Sequence, residues 1–422
     1  MRRIGLICPA ATGHLNTMLP LGAELAGRGN RVTLFGFLDA QAQTLRAGLE
    51  FHPLGEASFP AGALTKAWRD IGRQSGLAAL SATVRLIRDL AAVTLEEGPE
   101  AAEGHGIDGL VVDQVSVGGG TIADRLNIPF VTLCSAVVLN QDIGVPPALT
   151  GWRYDPSRWG RLRNALGYSA FNRLVRPIRK LVAEYRRRWD LPIHGEPNEA
   201  FSQLAQISQE PAEFEFPRTR LPLWFHFTGP FHASIGRPEV TFPFERLTVR
   251  PLIYASLGSI INQRLRMFKV IAAACQDLDA QLVISLGGSS GAEALAGLPG
   301  SPLVVEYAPQ LELLPRAALT VSHAGLNTSL ESLACGVPVV AIPICNDQPG
   351  VAARLAWTGA GAVLPMSRAS APRLRTIIER VLSVPSYKQH ALRLQRAIAT
   401  SGGVGRAADI VERAILHKRP VT

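Results

Sequence analysis

The chain has 422 residues, of which 47% are hydrophobic and 18% are charged, and its formal net charge is +9. These values are typical of a globular protein with two or three domains, and they exclude a disordered, collagen-like or coiled-coil chain. Five scattered cysteines without CxxC spacing argue against a disulfide framework or a zinc site. No stretch reaches the roughly 18–20 apolar residues that a membrane span needs, and the short apolar run after Met1 predicts a strand rather than a signal peptide. We therefore expect a cytoplasmic protein.

The first part of the chain alternates strand and helix patterns. Residues 3–8 are apolar, residues 15–28 carry apolar side chains at helical spacing, and residues 31–37 are apolar again. Two further buried strands are predicted at 109–112 and 130–133. Strand–helix–strand units of this kind build parallel sheets.

A basic segment follows at residues 151–190, where eleven basic and three acidic residues give a net charge of +8. Apolar residues recur at helical spacing from Phe171 to Trp189, and Pro177 predicts a kink or a first helical turn. Two interpretations stay open: a solvated helix that packs on its domain, or a helix that docks on an anionic membrane. A third, nucleic-acid binding, has no accompanying recognition motif, and we expect no nucleic-acid partner.

A second series of strand and helix patterns starts at residue 252, after a Pro- and Phe-rich stretch at 217–245 that we interpret as a connector. Its apolar runs lie at 252–257, 281–286, 303–307, 319–322, 337–344 and 362–364. The sequence therefore predicts an α/β fold with two doubly wound, Rossmann-like domains that face a cleft, over residues 1–235 and 246–402. A last helix is expected within 403–422.

Ligands of open α/β sheets bind at the carboxyl ends of the strands, and two candidate residues follow strands of the first domain. His14 lies where the first strand leads into the first helix, and Asp113 closes a buried strand. An imidazole oriented by a carboxylate can act as a general base near neutral pH. Each residue also has a structural explanation, since either one can simply occupy a helix start.

A longer set of polar residues follows the strands of the second domain. Ser322 and His323 end a strand, and Gly325 opens a helix whose free N–H groups and dipole suit a diphosphate. Other side chains in the set can donate to phosphate, stack on a base, or bind ribose and sugar hydroxyls. In chain order, the candidate binding residues are Tyr307, Ala308, Gln310, His323, Gly325, Asn327, Thr328, Glu331, Asp347 and Gln348.

This ordered set resembles the nucleotide-sugar signature of the UDP-glycosyltransferases, an inverting family with the GT-B fold. Residues 254–259 also resemble that family's first donor-domain strand, whose closing serine, here Ser259, touches phosphate. Segments 110–114, 279–284, 323–328 and 347–354 are most similar to one branch of it, the bacterial carotenoid (zeaxanthin) glucosyltransferases.

The resemblance implies a function for each half of the chain. The first domain would bind an apolar hydroxylated acceptor, such as zeaxanthin, and the second would bind UDP-glucose as a co-substrate, with no metal and no other cofactor. His14 would be the general base, Asp113 its orienting carboxylate, and the last helix would pack back on the first domain. A membrane-resident acceptor favours the membrane interpretation of the basic segment, at the inner face of the membrane.

Three alternatives remain at this point. The same enzyme class could act on another apolar hydroxyl compound, such as a macrolide, a sterol or a phenolic. A glycine run at 118–123 fits a loose dinucleotide-binding pattern and would suit an NAD-dependent oxidoreductase, although it lacks the expected acidic residue. A nucleotide-sugar sensor without turnover would need no catalytic pair.

Overall fold

Two parallel sheets organise the chain in a computed structural model that describes residues 1–72, 74, 76–258, 265–288 and 297–422. The first sheet has the strand order β3-β2-β1-β4-β5-β6-β7. Every neighbouring pair in it is parallel. Its strands are β1 (Arg3–Ile7), β2 (Arg31–Gly36), β3 (Glu50–Pro53), β4 (Gly109–Asp113), β5 (Phe130–Cys134), β6 (Gln206–Ser208) and β7 (Phe225–Phe227).

Helices cover both faces of this sheet, as its buried strands require. They are α1 (Thr12–Gly27), α2 (Gln41–Arg46), α3 (Ala63–Gly72), α4 (Gly76–Gly104), α5 (Gly119–Leu126), α6 (Arg158–Leu174) and α7 (Arg176–Arg188). All five residues of β4 are buried. An apolar run of this kind is typical of a strand with helices on both faces.

The second sheet has the order β10-β9-β8-β11-β12-β13 and is also parallel throughout. Its strands are β8 (Leu252–Ser256), β9 (Gln281–Ser285), β10 (Leu303–Val305), β11 (Ala317–Ser322), β12 (Val339–Ala341) and β13 (Gly361–Val363). Its helices are α8 (Leu265–Cys275), α9 (Gln310–Leu313), α10 (Leu326–Ala334), α11 (Gln348–Thr358), α12 (Ala371–Ser383) and α13 (Pro385–Thr400). The two-domain α/β fold expected from the sequence is confirmed.

The last helix, α14 (Gly403–His417), packs on α1, a helix of the first domain. Val411 and Ala414 of α14 are fully buried in the same apolar cluster as Leu21 and Leu25 of α1. At the rim of this contact, Arg28 Nη1 lies 2.6 Å from Asp409 Oδ1 and 3.0 Å from Glu412 Oε2. The chain thus returns to its first domain after completing the second.

Some elements differ from the sequence expectation. The stretch at 217–245, interpreted as a connector, contains β7, the edge strand of the first sheet. Three residues are too few for an alternating pattern, and those of β7 are only half-buried. The basic segment forms two helices, α6 and α7, with Pro177 in the first turn of α7. Among the described residues, no helix has both the length and the apolar character needed to cross a membrane.

A buried ion pair joins the two domains. Arg354 on α11 is 1% exposed and donates to Glu215, which follows β6, from Nη2 at 2.6 Å and from Nε at 3.0 Å. Arg218 Nε lies 3.4 Å from the other carboxylate oxygen. Burial alone would raise the pKa of Glu215, but the charges of Arg218 and Arg354 hold it below its ordinary value. Glu215 is therefore the carboxylate in direct contact with two buried guanidinium groups.

Replacing Glu215 by alanine is expected to lower the free energy of unfolding by about 3–5 kcal/mol, since both guanidinium groups would stay buried without the carboxylate that contacts them. Urea unfolding of Glu215→Ala measures this loss. Glu213→Ala is the matched control, because Glu213 is exposed two residues away. A double variant, Glu215→Leu with Arg354→Met, should recover part of the loss. Equal stability of Glu215→Ala and Glu213→Ala would contradict this assignment.

Candidate active site

A cavity of about 1160 Å³ lies between the two domains. The residues that follow β1, β4, β8, β11 and β12 all contribute to its lining. Parallel strands place their carboxyl ends at one edge of a sheet, so two such edges facing each other form a cleft. His14 and all ten second-domain residues of the sequence-predicted set from Tyr307 to Gln348 line it.

His14, on the first-domain wall of the cavity, is hydrogen-bonded to Asp113, which does not itself line the cavity. His14 Nδ1 lies 2.8 Å from Asp113 Oδ2. The other carboxylate oxygen accepts from the Val115 N–H at 3.0 Å, which fixes the carboxylate of this last residue of β4. The Asp113 side chain is fully buried, whereas that of His14 is 22% exposed. Because Asp113 occupies Nδ1, Nε2 is the ring nitrogen left for a group in the cavity.

The surroundings of His14 act on its pKa in opposite directions. Burial disfavours the imidazolium and alone would lower the pKa. The charge and hydrogen bond of Asp113, together with the charge of Asp347 across the cavity, outweigh burial and raise the pKa above its ordinary value. The pairing with Asp113 therefore favours the protonated form of the ring.

The second-domain wall centres on the amino terminus of α10. Gly325 is its N-cap residue, and the first helical residues Leu326, Asn327 and Thr328 line the cavity. The first N–H groups of a helix have no partner within it, and the helix dipole makes this end positive. The site can therefore hold an anionic group such as a phosphate.

His323 lies beside this helix end, with its ring between two glycines. A Cβ at Gly258 or at Gly325 would come within 2.6 Å or 2.5 Å of His323 Nε2, so only glycine fits at either position. Burial lowers the pKa of His323 to about 4, which keeps the ring neutral near pH 7. Among the residues that the structure describes, its buried Nδ1 has no hydrogen-bond partner.

A chain of polar contacts links Tyr254, Gln310, Glu331 and Arg237. Tyr254 Oη donates to Gln310 Oε1 at 3.1 Å, and Gln310 Nε2 donates to Glu331 and, at 3.4 Å, to Thr328 Oγ1. Arg237, from the loop after β7, forms an ion pair with Glu331. Glu331 is thus held on two sides, and Arg237 is a site residue that sequence reasoning missed.

Asn327 joins the two walls of the cavity. Its Nδ2 donates to the Gly13 carbonyl at 2.7 Å, and its Oδ1 accepts from Gln209 Nε2 at 2.8 Å. The sequence predicted Asn327 as a phosphate donor, whereas in this structure its carboxamide holds the start of α1, one residue before His14. Gln209 is a second residue that the sequence pattern did not indicate.

Asp347 and Gln348 lie at the start of α11, on the same side of the cavity as α10. Burial raises the pKa of Asp347, and the His14 charge and the Val137 N–H oppose this effect. The Val137 N–H, from the first domain, lies 3.5 Å from Asp347 Oδ2. Gln348 Oε1 accepts from the N–H groups of Ile344 and Cys345 at 2.9 and 3.0 Å, which shapes the loop before α11. Tyr307 and Ala308 line the cavity after β10.

Two further features of the sequence analysis are Ser259 and the glycine run at 118–123. Ser259 lies outside the described residues. The glycine run at 118–123 starts α5 in close contact with protein, since a Cβ at Gly118, Gly119 or Gly120 would meet a side chain within 2.9 Å. Its glycines therefore have a packing explanation in the fit of α5 against its neighbours.

The first-domain wall is largely apolar away from His14. Several elements supply this lining, among them β2, α3, α4 and the end of α6, with side chains that include Phe35, Phe37, Trp68, Val84, Ile87 and Phe171. The sequence did not identify these residues, because apolar side chains that line a pocket and those that fill a core follow the same periodicity.

Solved structures share this architecture. The structure described as the glycotransferase of kitacinnamycin superposes with a TM-score of 0.77 at 22% identity, covering 98% of this chain and 99% of that chain. Two Rossmann-like domains that face a common cleft are the features of the GT-B fold of glycosyltransferases. The similarity to this solved structure places the chain in that fold class.

Sequence comparison gives the family. The family described as UDP-glucoronosyl and UDP-glucosyl transferase matches residues 92–399, and the chain belongs to it. The chain is 32% identical to the zeaxanthin glucosyltransferase of Pantoea ananas, covering all of this chain and 98% of that protein. It is 30% identical to the zeaxanthin glucosyltransferase of Pseudescherichia vulneris, with full coverage of both. The protein is therefore a glycosyltransferase that takes its sugar from a nucleotide sugar.

Proposed function

We propose that the protein transfers glucose from UDP-glucose to a hydroxyl group of a hydroxycarotenoid such as zeaxanthin. The observation that carries this proposal is the pairing of His14 and Asp113 opposite the amino terminus of α10, across one cavity. A base on one wall and an anion site on the other are the two parts that a sugar transfer needs. The two relatives named as zeaxanthin glucosyltransferases support the choice of acceptor.

The proposed chemistry is a single displacement at the anomeric carbon. The acceptor oxygen forms the new bond to that carbon as the bond to the diphosphate breaks, and the electron pair leaves with UDP. His14 Nε2 takes the hydroxyl proton, and Asp113 orients the ring and offsets its positive charge. Attack from the face opposite to the leaving group inverts the configuration, so an α-linked donor gives a β-glycoside.

The donor would lie along the second domain. The α10 amino terminus, with His323 and Thr328, would hold the diphosphate, which supplies charge stabilisation without a metal ion. Glu331 would accept from the ribose hydroxyls, Tyr307 would stack on the base, and Asp347 with Gln348 would bind the sugar hydroxyls. Arg237, which already pairs with Glu331, would then sit close to the ribose.

The apolar part of the cavity supports a hydrophobic acceptor. Aromatic and aliphatic side chains of α3, α4 and α6 surround the space in front of His14, where an apolar molecule would release water from both surfaces. A carotenoid end ring with one hydroxyl meets this requirement. A macrolide, sterol or phenolic would also present a hydroxyl on an apolar frame, and these compounds form the second candidate acceptor class.

Donor and acceptor are tested separately. In a thermal-shift titration with UDP, UDP-glucose, dTDP-glucose and NAD, we expect stabilisation by UDP and UDP-glucose but not by NAD, because a ligand of the native state raises its stability. Product analysis by mass spectrometry with zeaxanthin, β-carotene, a macrolide and a phenol should give a glucoside of zeaxanthin alone. Stabilisation by NAD alone would contradict the donor assignment, and a glucoside of the macrolide or the phenol but not of zeaxanthin would contradict the acceptor.

The Glu331→Gln variant tests the ribose contact. We expect the KM for UDP-glucose to rise about tenfold or more while kcat changes little, since a hydrogen bond to a charged group contributes about 1.5–3 kcal/mol. Initial rates at varied donor concentration measure both constants. Glu379→Gln on α12 is the matched control, because Glu379 is an exposed carboxylate of the same domain. An unchanged donor KM in Glu331→Gln would rule out this contact.

A further inference from the structure

Helix α6 presents an apolar stripe to solvent. Trp159, Leu162 and Leu166 are 78%, 50% and 65% exposed, and their spacing of three and four residues places them on one helix face with exposed Ala170. A surface helix of a globular protein normally turns its apolar face inward. Here the inward face carries Gly160, Asn164 and Tyr168 instead. The outward stripe is therefore apolar surface that the protein itself leaves uncovered.

The helix is fixed in this orientation by its inner contacts. Ser157 caps its amino terminus by accepting from the Gly160 N–H at 3.1 Å. Asn164 Nδ2 donates to the Ile143 carbonyl at 3.0 Å, and Tyr168 is 7% exposed. A rotation that buried Trp159 would break the Asn164 contact and expose Tyr168. The stripe is thus a stable feature of this surface.

Exposed positive charge lies at both ends of the stripe. Arg158 and Arg161 lie in the first turn of α6, Arg173 in its last turn, and Arg176 at the start of α7; all four are exposed. Within the part of the chain that the structure describes, none of the four forms an ion pair with a carboxylate. By contrast, Arg186 of α7 is buried and bound to Asp124 at 2.6 Å. The arginines beside the stripe are therefore available to an external anion.

The same helix region also borders the cavity. Phe171, near the carboxyl end of α6, and Val175 and Ile178, around the start of α7, line the cavity from its first-domain side. One surface of this helix pair thus meets solvent with apolar and cationic groups, and another lines the same cavity as His14. An apolar molecule leaving a bilayer against α6 would meet the helix pair that also borders the cavity.

We propose that α6 is a membrane-docking helix that inserts Trp159, Leu162 and Leu166 at the interface of an anionic bilayer, with the flanking arginines on the lipid phosphates. An apolar stripe with a cationic border and a Trp suits this interface, and lipid of negative charge is the occupant that the charge favours. Docking itself does not depend on the identity of the acceptor. Delivery of the acceptor from the bilayer to the cavity rests on the proposed function.

Vesicle co-sedimentation tests the docking alone. Purified full-length protein is mixed with vesicles of phosphatidylcholine, with or without 30 mol% phosphatidylglycerol, in the absence of donor and acceptor. We expect binding to the anionic vesicles that weakens about tenfold in 0.5 M salt, and much weaker binding to phosphatidylcholine alone. The triple variant Trp159→Ser, Leu162→Ser, Leu166→Ser should lose at least about tenfold in partitioning.

A control variant and a second readout keep this test decisive. Leu45→Ser is the matched control, because Leu45 is 55% exposed on α2, away from the stripe, and it should bind vesicles as the parent protein does. Thermal stabilisation by UDP verifies that the triple variant is folded. Equal vesicle binding by the triple variant and the parent would overturn the proposal. So would a dimer in light scattering that the triple variant loses, since the stripe would then cover a second copy.

The failure of docking and the failure of the proposed function give different results. If docking is wrong but the function is right, zeaxanthin in detergent micelles is glucosylated, and the vesicle assay shows no binding. If the function is wrong but docking is right, vesicles bind the protein, and no glucoside forms in either system. If both hold, the triple variant keeps its rate in micelles and loses rate only with zeaxanthin in anionic vesicles.

Discussion

Replacement of His14 by alanine is expected to lower kcat by about 10²–10⁴-fold, the usual contribution of a positioned general base. The donor KM should stay close to that of the parent enzyme, because none of the contacts proposed for UDP-glucose is made by His14. In the proposed displacement the imidazole acts only on the acceptor hydroxyl, so its loss removes proton transfer and leaves donor binding in place.

Initial rates with saturating UDP-glucose and zeaxanthin measure the effect, and UDP-induced thermal stabilisation verifies donor binding. His417→Ala is the matched control, since His417 is an exposed imidazole at the end of α14 and should leave kcat unchanged. Turnover of His14→Ala within a factor of two of the parent would show that another group accepts the proton.

The Asp113→Asn variant is expected to lower kcat by about 10²–10⁴-fold through a different route. An asparagine can donate to Nδ1 as well as accept from it, so the ring loses the partner that selects its tautomer. The variant also removes the negative charge that stabilises the imidazolium. Asp108→Asn is the matched control, because Asp108 lies just before β4, at the opposite end of that strand. Near-parent turnover in Asp113→Asn would contradict the orienting role.

The pH profile of kcat/KM distinguishes an effect of Asp113 on His14 from a general loss of structure in the variant. His14 must be neutral to accept a proton, so kcat/KM falls as pH decreases through its pKa, which the Asp113 charge holds above the ordinary value. In Asp113→Asn, burial remains and only the smaller attraction of Asp347 opposes it, so the pKa of His14 falls and the acid limb moves to lower pH. An acid limb at the parent position in Asp113→Asn would mean that another group controls it.

Much of the site could be predicted because parallel strands bring distant residues to one edge. His14 and Asp113 are 99 positions apart, yet His14 follows β1, Asp113 ends the neighbouring strand β4, and the two side chains meet at 2.8 Å. The same rule places Gly325 and Asp347, after the adjacent strands β11 and β12, on one side of the cavity. Strand order and the position of a residue after its strand are enough for these predictions.

Other parts of the site depend on the path of the chain between the strands. Arg237 reaches Glu331 from a loop without a periodic pattern, and only the tertiary structure brings them together. Asn327 belongs to the predicted set, but the first domain lies close enough for its carboxamide to form hydrogen bonds with Gly13 and Gln209. For α6, periodicity places Trp159 with Leu166 on one face and does not indicate whether protein or solvent covers that face.

The most direct test of the account is the configuration of the product. UDP-α-glucose and zeaxanthin are incubated with the protein in mixed micelles, and the anomeric linkage of the isolated glucoside is determined by NMR. A β-glucoside is predicted, because in the proposed single displacement the acceptor oxygen attacks from the face opposite to the diphosphate. An α-glucoside would contradict the single displacement, and the absence of a glucoside would contradict the proposed acceptor.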